Sequence, residues 1–260
     1  MDSEMNTAVG EIERRLGVTG KAAANCDTHG DYIAILRDGR PPSGCPVCAR
    51  LAHEAEEEEC RRYDFLRRNL PIAQIPKRFS DRSLVNYRAK LPGQRKALEI
   101  CTEYADNFEA HKESGRCLLL LGKVGTGKTH LACAIANRLL HKMTRRVVYR
   151  TVGDILMSIR ASYSSREEDS EADLLRPIMS ADLLVLDEVG ATKPSEFELA
   201  TLYRIINGRY EKCLPIVIVS NLAASELGEA IGERCFDRIK EGGAVVVPFD
   251  WASARGEVMP

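Results

Sequence analysis

From residue 93 onward, short apolar runs alternate with stretches of helical periodicity. Five runs rich in Val, Ile and Leu predict strands at residues 117–121, 146–150, 183–186, 216–220 and 244–247. Between them, apolar residues recur three and four positions apart, as at Val152, Ile155 and Ile159. Strands that are apolar along their whole length are typical of a parallel sheet covered on both faces. The pattern therefore predicts an α/β fold, a three-layer domain with a parallel sheet.

The residues before position 93 show a different pattern of apolar and charged positions. Residues 1–70 lack apolar periodicity, hold a group of Cys and His, and end in a charged run at 49–69 that predicts a helix. Acidic residues fill its first half and basic residues its second, which suits the helix dipole. Residues 71–92 contain three prolines among aromatic and basic residues and are interpreted as a basic linker. We expect a small N-terminal module at 1–70, the linker, and the α/β domain at 93–260.

Composition, charge and cysteine content exclude some classes of protein. The 260 residues are 44% hydrophobic with a formal net charge of −1, so no global basic field points to nucleic acid. No apolar run approaches the length of a membrane span, and the mixed N-terminus does not resemble a signal peptide. Six scattered cysteines, Cys60, Cys101, Cys117, Cys133, Cys213 and Cys235, suggest reduced, buried thiols. These observations predict a cytoplasmic protein with no membrane partner.

A glycine-rich loop follows the first predicted strand. The string from Gly122 to Thr129 fits the pattern G-x-x-x-x-G-K-[ST], and a helical pattern comes after it. Glycines let several backbone N–H groups meet the oxygens of a triphosphate, and the following helix directs its positive end there. Lys128 is predicted to reach the β- and γ-phosphates, and the Thr129 hydroxyl to ligate Mg²⁺. The predicted nucleotide contacts are Gly122, Gly125, Thr126, Gly127, Lys128 and Thr129.

Polar residues at two further strand ends suit the same chemistry. The run LLVLDEVG ends in Asp187, a candidate Mg²⁺ ligand, and Glu188, a candidate for polarising the attacking water. Asn221 follows the strand at 216–220, where an amide can hold water or the γ-phosphate, although ordinary turns also favour asparagine. Arg234 and Arg238 lie four apart on one helix face. They suit either an arginine finger or a solvated helix with acidic partners.

A second pattern lies in the N-terminal module. Cys26 and His29 are separated by two residues, and Cys45 and Cys48 repeat that spacing fifteen residues later. Two such pairs suit tetrahedral Zn²⁺, and four protein ligands leave no open position. We therefore predict a structural zinc site, with a small hairpin or loop between the pairs. A chance grouping is the alternative.

Taken together, these motifs resemble AAA+ ATPases, and most closely the DnaC-type replicative helicase loaders. The strings GKVGTGKTHLA, LLVLDEVG, VSN and GERCFDRI occur in the order and spacing of that family, over residues of about 70–260. The resemblance implies nucleotide and Mg²⁺ roles for Lys128, Thr129, Asp187 and Glu188, and a polar sensor at Asn221. It implies that Arg238, with Arg234 as companion, acts on ATP held by a neighbouring subunit. Arg255 lies where a second sensor arginine would be, but it precedes only five residues, too few for a helical lid.

The same resemblance implies partners. Tyr163, Ser195 and Phe197 match single-stranded DNA contacts of these loaders, with the alternative that Phe197 is a core residue. An N-terminal zinc module is common among phage-type relatives, and this region of a loader binds the helicase; a solvated spacer helix is the alternative. We expect an ATPase, slow and switch-like, that places a replicative helicase on single-stranded DNA and self-associates through its ATP sites. The alternatives are a transposition-associated AAA+ regulator and a nucleotide-gated adaptor with negligible hydrolysis.

Overall fold

The computed structural model describes residues 10–164 and 170–253. It divides the chain into two units, Met1–Asp64 and Phe65–Pro260. The division falls inside one long helix, α2, which spans Pro46–Ala73. This helix extends the one expected at 49–69 in both directions, and Pro46 suits its first position because the missing N–H would have no partner there.

The first unit contains a short helix, α1 (Glu11–Arg15), and an antiparallel hairpin of β1 (Val18–Cys26) and β2 (Gly30–Arg37). A hairpin or loop is predicted between the two candidate ligand pairs. Instead, the hairpin turns within the first pair, because Cys26 ends β1 and His29 immediately precedes β2. The strand β1 has weak alternation and many alanines, and its sequence pattern did not predict it.

The second unit is built on a five-stranded parallel sheet. Its strands are β3 (Leu118–Gly122), β4 (Val147–Thr151), β5 (Leu183–Val189), β6 (Ile216–Ser220) and β7 (Val245–Phe249). They lie in the order β4-β5-β6-β3-β7, and every neighbouring pair is parallel. All five predicted strands are present, displaced by at most a few residues, and the predicted α/β fold is confirmed.

Helices cover both faces of this sheet. They are α3 (Pro92–Asp106), α4 (Phe108–Ser114), α5 (Lys128–Lys142), α6 (Val152–Ser164), α7 (Glu171–Ser180), α8 (Glu196–Tyr210), α9 (Ala224–Ile231) and α10 (Glu233–Glu241). Alternate strand residues enter two separate cores: Leu118 and Leu120 pack with α3 and α5, whereas Leu119 and Leu121 pack with α6 to α10. Both faces are therefore buried, which explains why the strands are apolar without alternation.

The segment interpreted as a linker is part of the second unit and packs against α5. Ala73 and Leu84 are 1% and 6% exposed and belong to the same core as α5. The Asn137 amide donates hydrogen bonds to the carbonyl oxygens of Phe79 (2.9 Å) and Arg82 (2.8 Å). Prolines punctuate this stretch, but its isolated apolar residues find partners on α5, and such contacts leave no periodic pattern in the sequence.

All nine cysteines lie in the described residues, and none forms a disulfide. Cys101, Cys117, Cys133 and Cys235 are buried, as expected, whereas Cys60 and Cys213 are exposed, contrary to the expectation. Among the helices of residues 10–164 and 170–253, none combines the length and the apolar character that a membrane crossing requires.

Candidate nucleotide site

The glycine-rich loop runs from the end of β3 to the start of α5. Gly122, Gly125 and Gly127 have φ values of +130°, +77° and +99°, a region that L side chains rarely adopt. A Cβ atom at Gly122 would also lie 2.3 Å from the carbonyl oxygen of Phe249 on β7. The loop therefore requires glycine for both its curvature and its close approach to the neighbouring strand. Its last residue adjoins the N-terminus of α5, whose dipole favours anions.

Two polar side chains of the loop are buried. The Thr126 hydroxyl donates to the carbonyl of Lys123 at 2.7 Å. Lys128 is 5% exposed, and its Nζ donates to the carbonyls of Gly122 and Lys123, each at 2.6 Å. The ammonium group thus lies against the loop itself, where its positive charge suits phosphate oxygens.

Two aromatic residues from outside the loop form hydrogen bonds to it, and neither was predicted from the sequence. The indole Nε1 of Trp251 donates to the Thr126 carbonyl at 3.0 Å, and the Tyr87 hydroxyl donates to the same oxygen at 3.4 Å. A Cβ atom at Gly127 would lie 2.9 Å from the Tyr87 ring. Burial, and secondarily the Cys101 thiol, raises the pKa of Tyr87 to about 12. The available signal was an aromatic residue beside polar residues in each of two segments, Tyr87 between Asn86 and Arg88 and Trp251 after Asp250.

Asp187 and Thr129 are brought together, as predicted. The Thr129 hydroxyl donates to Asp187 Oδ2 at 3.0 Å, and the hydroxyl of Tyr149, on the adjacent strand β4, donates to the same oxygen at 2.8 Å. Asp187 is 4% exposed, and the Glu188 N–H donates to its other oxygen at 2.7 Å. A hydroxyl and a carboxylate in direct contact at the phosphate loop are oxygen ligands that suit Mg²⁺. Tyr149 was missed because it lies within an apolar strand.

Glu188 differs from its neighbours in conformation. It is exposed and has a φ of +59°, and the β5–β6 register shifts between Leu186 and Val189. The irregularity turns the Glu188 side chain away from the sheet ladder. Left-handed backbone at a non-glycine residue stores strain, and such strain is concentrated at functional sites. Asn221 immediately follows β6, which is the neighbour of β5 in the sheet, and it is exposed.

A cleft of 960 Å³ opens beside the loop. Its lining comprises Arg78, Phe79, Arg82, Val85, Asn86, Tyr87, Arg88, Gln94, Thr126, Gly127, Thr129 and His130. His130 Nε2 lies 3.0 Å from Asn86 Oδ1 and 3.3 Å from the Ser83 carbonyl, and burial lowers the pKa of His130. The cleft therefore combines the phosphate loop with aromatic and polar groups of the 78–94 segment, most of which the sequence analysis had assigned to the linker.

Arg234 and Arg238 lie in a cleft of their own, between α8 and α10. This cleft of 430 Å³ is lined by Tyr203, Tyr210, Arg234, Asp237, Arg238 and Glu241, and by none of residues 122–129. The structure does not bring these arginines to the loop of the same chain. Arg255 lies outside the described residues.

The three candidate DNA contacts have different surroundings. Tyr163 is 64% exposed on α6, with its hydroxyl donating to Glu171 at 2.6 Å. Ser195 caps α8, because its side chain accepts a hydrogen bond from the Glu198 N–H at 3.2 Å. Phe197 is partly buried against the core below α8, and the guanidinium carbon of Arg160 lies 5.6 Å from its ring centroid. The packing of Phe197 accords with the alternative of a core residue.

The four candidate zinc ligands cluster in the first unit. The ligand atoms of Cys26, His29, Cys45 and Cys48 all lie within 4.8 Å of one another. The sulfurs of Cys26 and Cys48 are 3.6 Å apart, and His29 Nδ1 is 3.3 Å from the Cys48 sulfur. Tetrahedral zinc with Zn–S bonds of about 2.3 Å would set its sulfurs about 3.8 Å apart. Backbone N–H groups of Thr28 and His29 lower the pKa of Cys26 to about 6, whereas the hydrogen bond with Cys26 raises the pKa of Cys48 to about 11. The donor set and its spacing therefore fit zinc.

Comparisons with known proteins place the chain in a family. The model of the IstB-like ATP binding proteins matches residues 50–239. The replicative helicase loader DnaC of Escherichia coli K12 is 34% identical over 176 residues, 68% of this chain and 70% of that protein. DnaC of Buchnera aphidicola from Acyrthosiphon pisum is 32% identical over 191 residues, 73% and 76% of the two chains.

The fold agrees with a solved structure. The crystal structure of the DnaC helicase loader matches 67% of this chain and 99% of that one, with a TM-score of 0.60 and 24% identity. This chain therefore belongs to the IstB-like ATP-binding proteins and, as an AAA+ ATPase, to the family of DnaC-type replicative helicase loaders.

Proposed function

We propose that this protein is an ATP-dependent loader that binds a replicative DNA helicase and helps place it on single-stranded DNA. The observation behind the proposal is the contact of Thr129 with Asp187 at the phosphate loop. It occurs in a chain that is 34% identical to a protein named as a helicase loader. A phosphate loop with a hydroxyl and a carboxylate placed for Mg²⁺, within such a chain, supports ATP as the ligand that controls loading.

Each residue of the site has its own role in binding or hydrolysing ATP. Backbone N–H groups of the loop and the Lys128 ammonium would bind the phosphates. Thr129 and Asp187 would hold the magnesium ion, which would neutralise phosphate charge. Tyr149 orients Asp187. Glu188 polarises the attacking water and Asn221 orients it. The cleft beside Tyr87 has the volume and the aromatic wall for the nucleotide base.

Completion of the site by a second copy explains the separate cleft of Arg234 and Arg238. In this proposal Arg238 contacts the γ-phosphate of ATP on the neighbouring subunit, and Arg234 assists it. Self-association then depends on ATP at each junction. We assign Arg255 a nucleotide-sensing role on the resemblance of its sequence context alone.

The N-terminal module supplies the helicase contact. The zinc ion held by Cys26, His29, Cys45 and Cys48 would fix the hairpin and the start of α2, since a module this small has little core of its own. Exposed apolar residues on the part of α2 in the first unit, Leu51 and Tyr63, offer contacts for a partner. We propose residues 1–70 as the docking module, 71–92 as a basic connecting segment and 93–260 as the ATPase domain.

Single-stranded DNA would contact the end of α6 and the start of α8. The exposed ring of Tyr163 can stack on a base, and the Ser195 hydroxyl can reach a phosphate. Phe197 is only partly buried and would contribute a second aromatic contact. Since the chain has no net positive charge, we expect this binding to be modest and sensitive to salt.

Size-exclusion chromatography of the full chain with its cognate helicase, with and without ATP, tests the proposal. We expect co-elution for the native chain and for Glu188→Gln, which should keep ATP bound and turn it over slowly or not at all. Lys128→Ala should lose ATP binding but still co-elute. Failure of the native chain to bind the helicase, or capture of a transposase instead, would overturn the assignment. In a separate assay of helicase loading onto single-stranded DNA, unchanged loading by Glu188→Gln would favour the nucleotide-gated adaptor.

A further inference from the structure

Two tyrosines on one face of α8 flank the side chain of Arg238. Tyr203 and Tyr210 are seven residues apart, two helical turns, so their side chains project from the same face. They are 37% and 38% exposed, and both border the open cleft between α8 and α10. The guanidinium carbon of Arg238 lies 5.1 Å from the Tyr203 ring centroid and 5.8 Å from that of Tyr210. Both distances fall within the range of cation–π attraction.

Hydrogen bonds add direction to this arrangement. Arg238 Nη2 donates to the Tyr203 hydroxyl at 3.4 Å, and Nη1 donates to the Arg234 carbonyl at 3.3 Å. Tyr210 is itself tied to α10, because its hydroxyl is hydrogen-bonded to Glu241, which raises the pKa of Tyr210. The guanidinium is therefore located by two aromatic rings of α8 and by a backbone carbonyl of α10.

The acidic residues near Arg238 also bear on its role. Among the described residues, no carboxylate oxygen lies within 4 Å of its nitrogens, although two acids share the cleft: Asp237 pairs with Lys240 at 3.2 Å, and Glu241 bonds Tyr210. A carboxylate would neutralise the guanidinium and would compete with an incoming phosphate. Aromatic faces orient the cation without adding a formal negative charge, so its charge stays available.

We propose that Tyr203 and Tyr210 are positioning residues for Arg238, holding its guanidinium ready for the phosphate of ATP bound to a second copy of this chain. The inference rests on the proposed role of Arg238 and adds to it a reason why the side chain is in place before the subunits meet. Pre-orientation matters because small misplacement of a charge-stabilising group lowers the rate of a chemical step with little effect on ground-state binding.

Steady-state ATP hydrolysis by the full chain, assembled with its helicase, tests the proposal. The variants are Tyr203→Leu, Tyr210→Leu, the double Leu variant, the two Tyr→Phe variants and Arg238→Ala. We expect the double Leu variant to lower kcat by roughly tenfold or more, on the scale of a misplaced catalytic group. Its KM and its affinity for a fluorescent ATP analogue should be unchanged. Both Phe variants keep an aromatic face and should retain most of kcat, with Tyr203→Phe reporting the cost of its hydroxyl.

The decisive comparison combines the double Leu variant with Arg238→Ala. If the tyrosines act through Arg238, the triple variant should have the kcat of Arg238→Ala alone. An additional loss in the triple variant, or a native kcat in the double Leu variant while Arg238→Ala is impaired, would overturn the inference and leave the role of Arg238 intact. A native kcat in Arg238→Ala would instead overturn that role, and the inference with it. Thermal unfolding of each variant identifies losses that come only from misfolding.

Discussion

Tyr149 donates its hydroxyl hydrogen to Asp187 across 2.8 Å, from one parallel strand to the next. The β4–β5 register pairs Tyr149 with Val185 and Thr151 with Asp187, so Tyr149 and Asp187 project from the same face of the sheet. That face packs against α5, which begins beside Thr129. The carboxylate is thus positioned by a residue outside the phosphate loop.

Tyr149→Phe should weaken both the fold and the metal site. Loss of a buried hydrogen bond to a carboxylate costs about 1.5–3 kcal/mol of unfolding free energy. The freer Asp187 should also raise the Mg²⁺ concentration needed for ATP hydrolysis. Urea unfolding and a Mg²⁺ titration measure the two effects. The control is Tyr104→Phe, which removes a 2.7 Å hydrogen bond to the Arg116 carbonyl away from the loop. An equal Mg²⁺ dependence in the two variants would contradict the role of Tyr149.

The strained backbone conformation of Glu188 should lower the free energy of unfolding. Its φ of +59° strains a glutamate, whereas asparagine tolerates left-handed backbone through local hydrogen bonding. Glu188→Asn should therefore unfold with a free energy about 1 kcal/mol higher than that of Glu188→Gln. Both amides remove the carboxylate, so both should bind ATP and hydrolyse it poorly. Equal melting temperatures for the pair would show that the residue is not strained in solution.

The features that could be predicted are those encoded by motifs of contiguous residues. The phosphate loop requires glycines at fixed offsets between a strand and a helix, and strands buried on both faces are apolar throughout. Local sequence therefore predicted the fold class and the approach of Asp187 to Thr129. The catalytic roles of Glu188, Asn221 and Arg238 stay predictions.

Contacts between distant segments could not be predicted where a residue belongs to no motif. Trp251 and Thr126 are 125 residues apart in the sequence, and Tyr149 and Asp187 are 38 apart. Neither pair leaves a periodic or motif signal, because each depends on which strands become neighbours. The packing of Leu84 and Tyr87 within the second unit was missed for the same reason: prolines nearby indicated a linker, and single buried residues have no periodicity.

The phenol of Tyr87 should make stability sensitive to alkaline pH. Its pKa rises from an ordinary value of about 10 to about 12 on folding. The native state therefore favours the neutral phenol, and this stabilisation is complete below pH 10 and is lost as the pH rises toward 12. Tyr87→Phe should show a shallower fall in unfolding free energy between pH 10 and 12 than the native chain. Parallel curves for the two proteins would contradict the assignment.

Trp251 should report nucleotide binding directly. It is the only tryptophan of the chain, and its indole is hydrogen-bonded to the Thr126 carbonyl in the phosphate loop. Addition of ATP should therefore change the intrinsic fluorescence. Trp251→Phe, which lacks the donor, should weaken ATP binding by about fivefold, the equivalent of one ordinary hydrogen bond of about 1 kcal/mol. Constant Trp251 fluorescence at saturating ATP would show that the loop does not respond.

The zinc site should be separable from the nucleotide site. Cys48→Ser removes one of four clustered ligands, and three ligands with a serine hydroxyl bind zinc far more weakly. The matched control is Cys60→Ser, an exposed cysteine on the same helix α2 and outside the cluster. Metal analysis of purified chains should find one zinc per chain in the native protein and in Cys60→Ser, and little in Cys48→Ser. Affinity for a fluorescent ATP analogue should be equal in all three, because the phosphate loop belongs to the second unit. Zinc retained at full occupancy by Cys48→Ser would contradict the four-ligand site, whereas lost ATP affinity would contradict the independence of the two units.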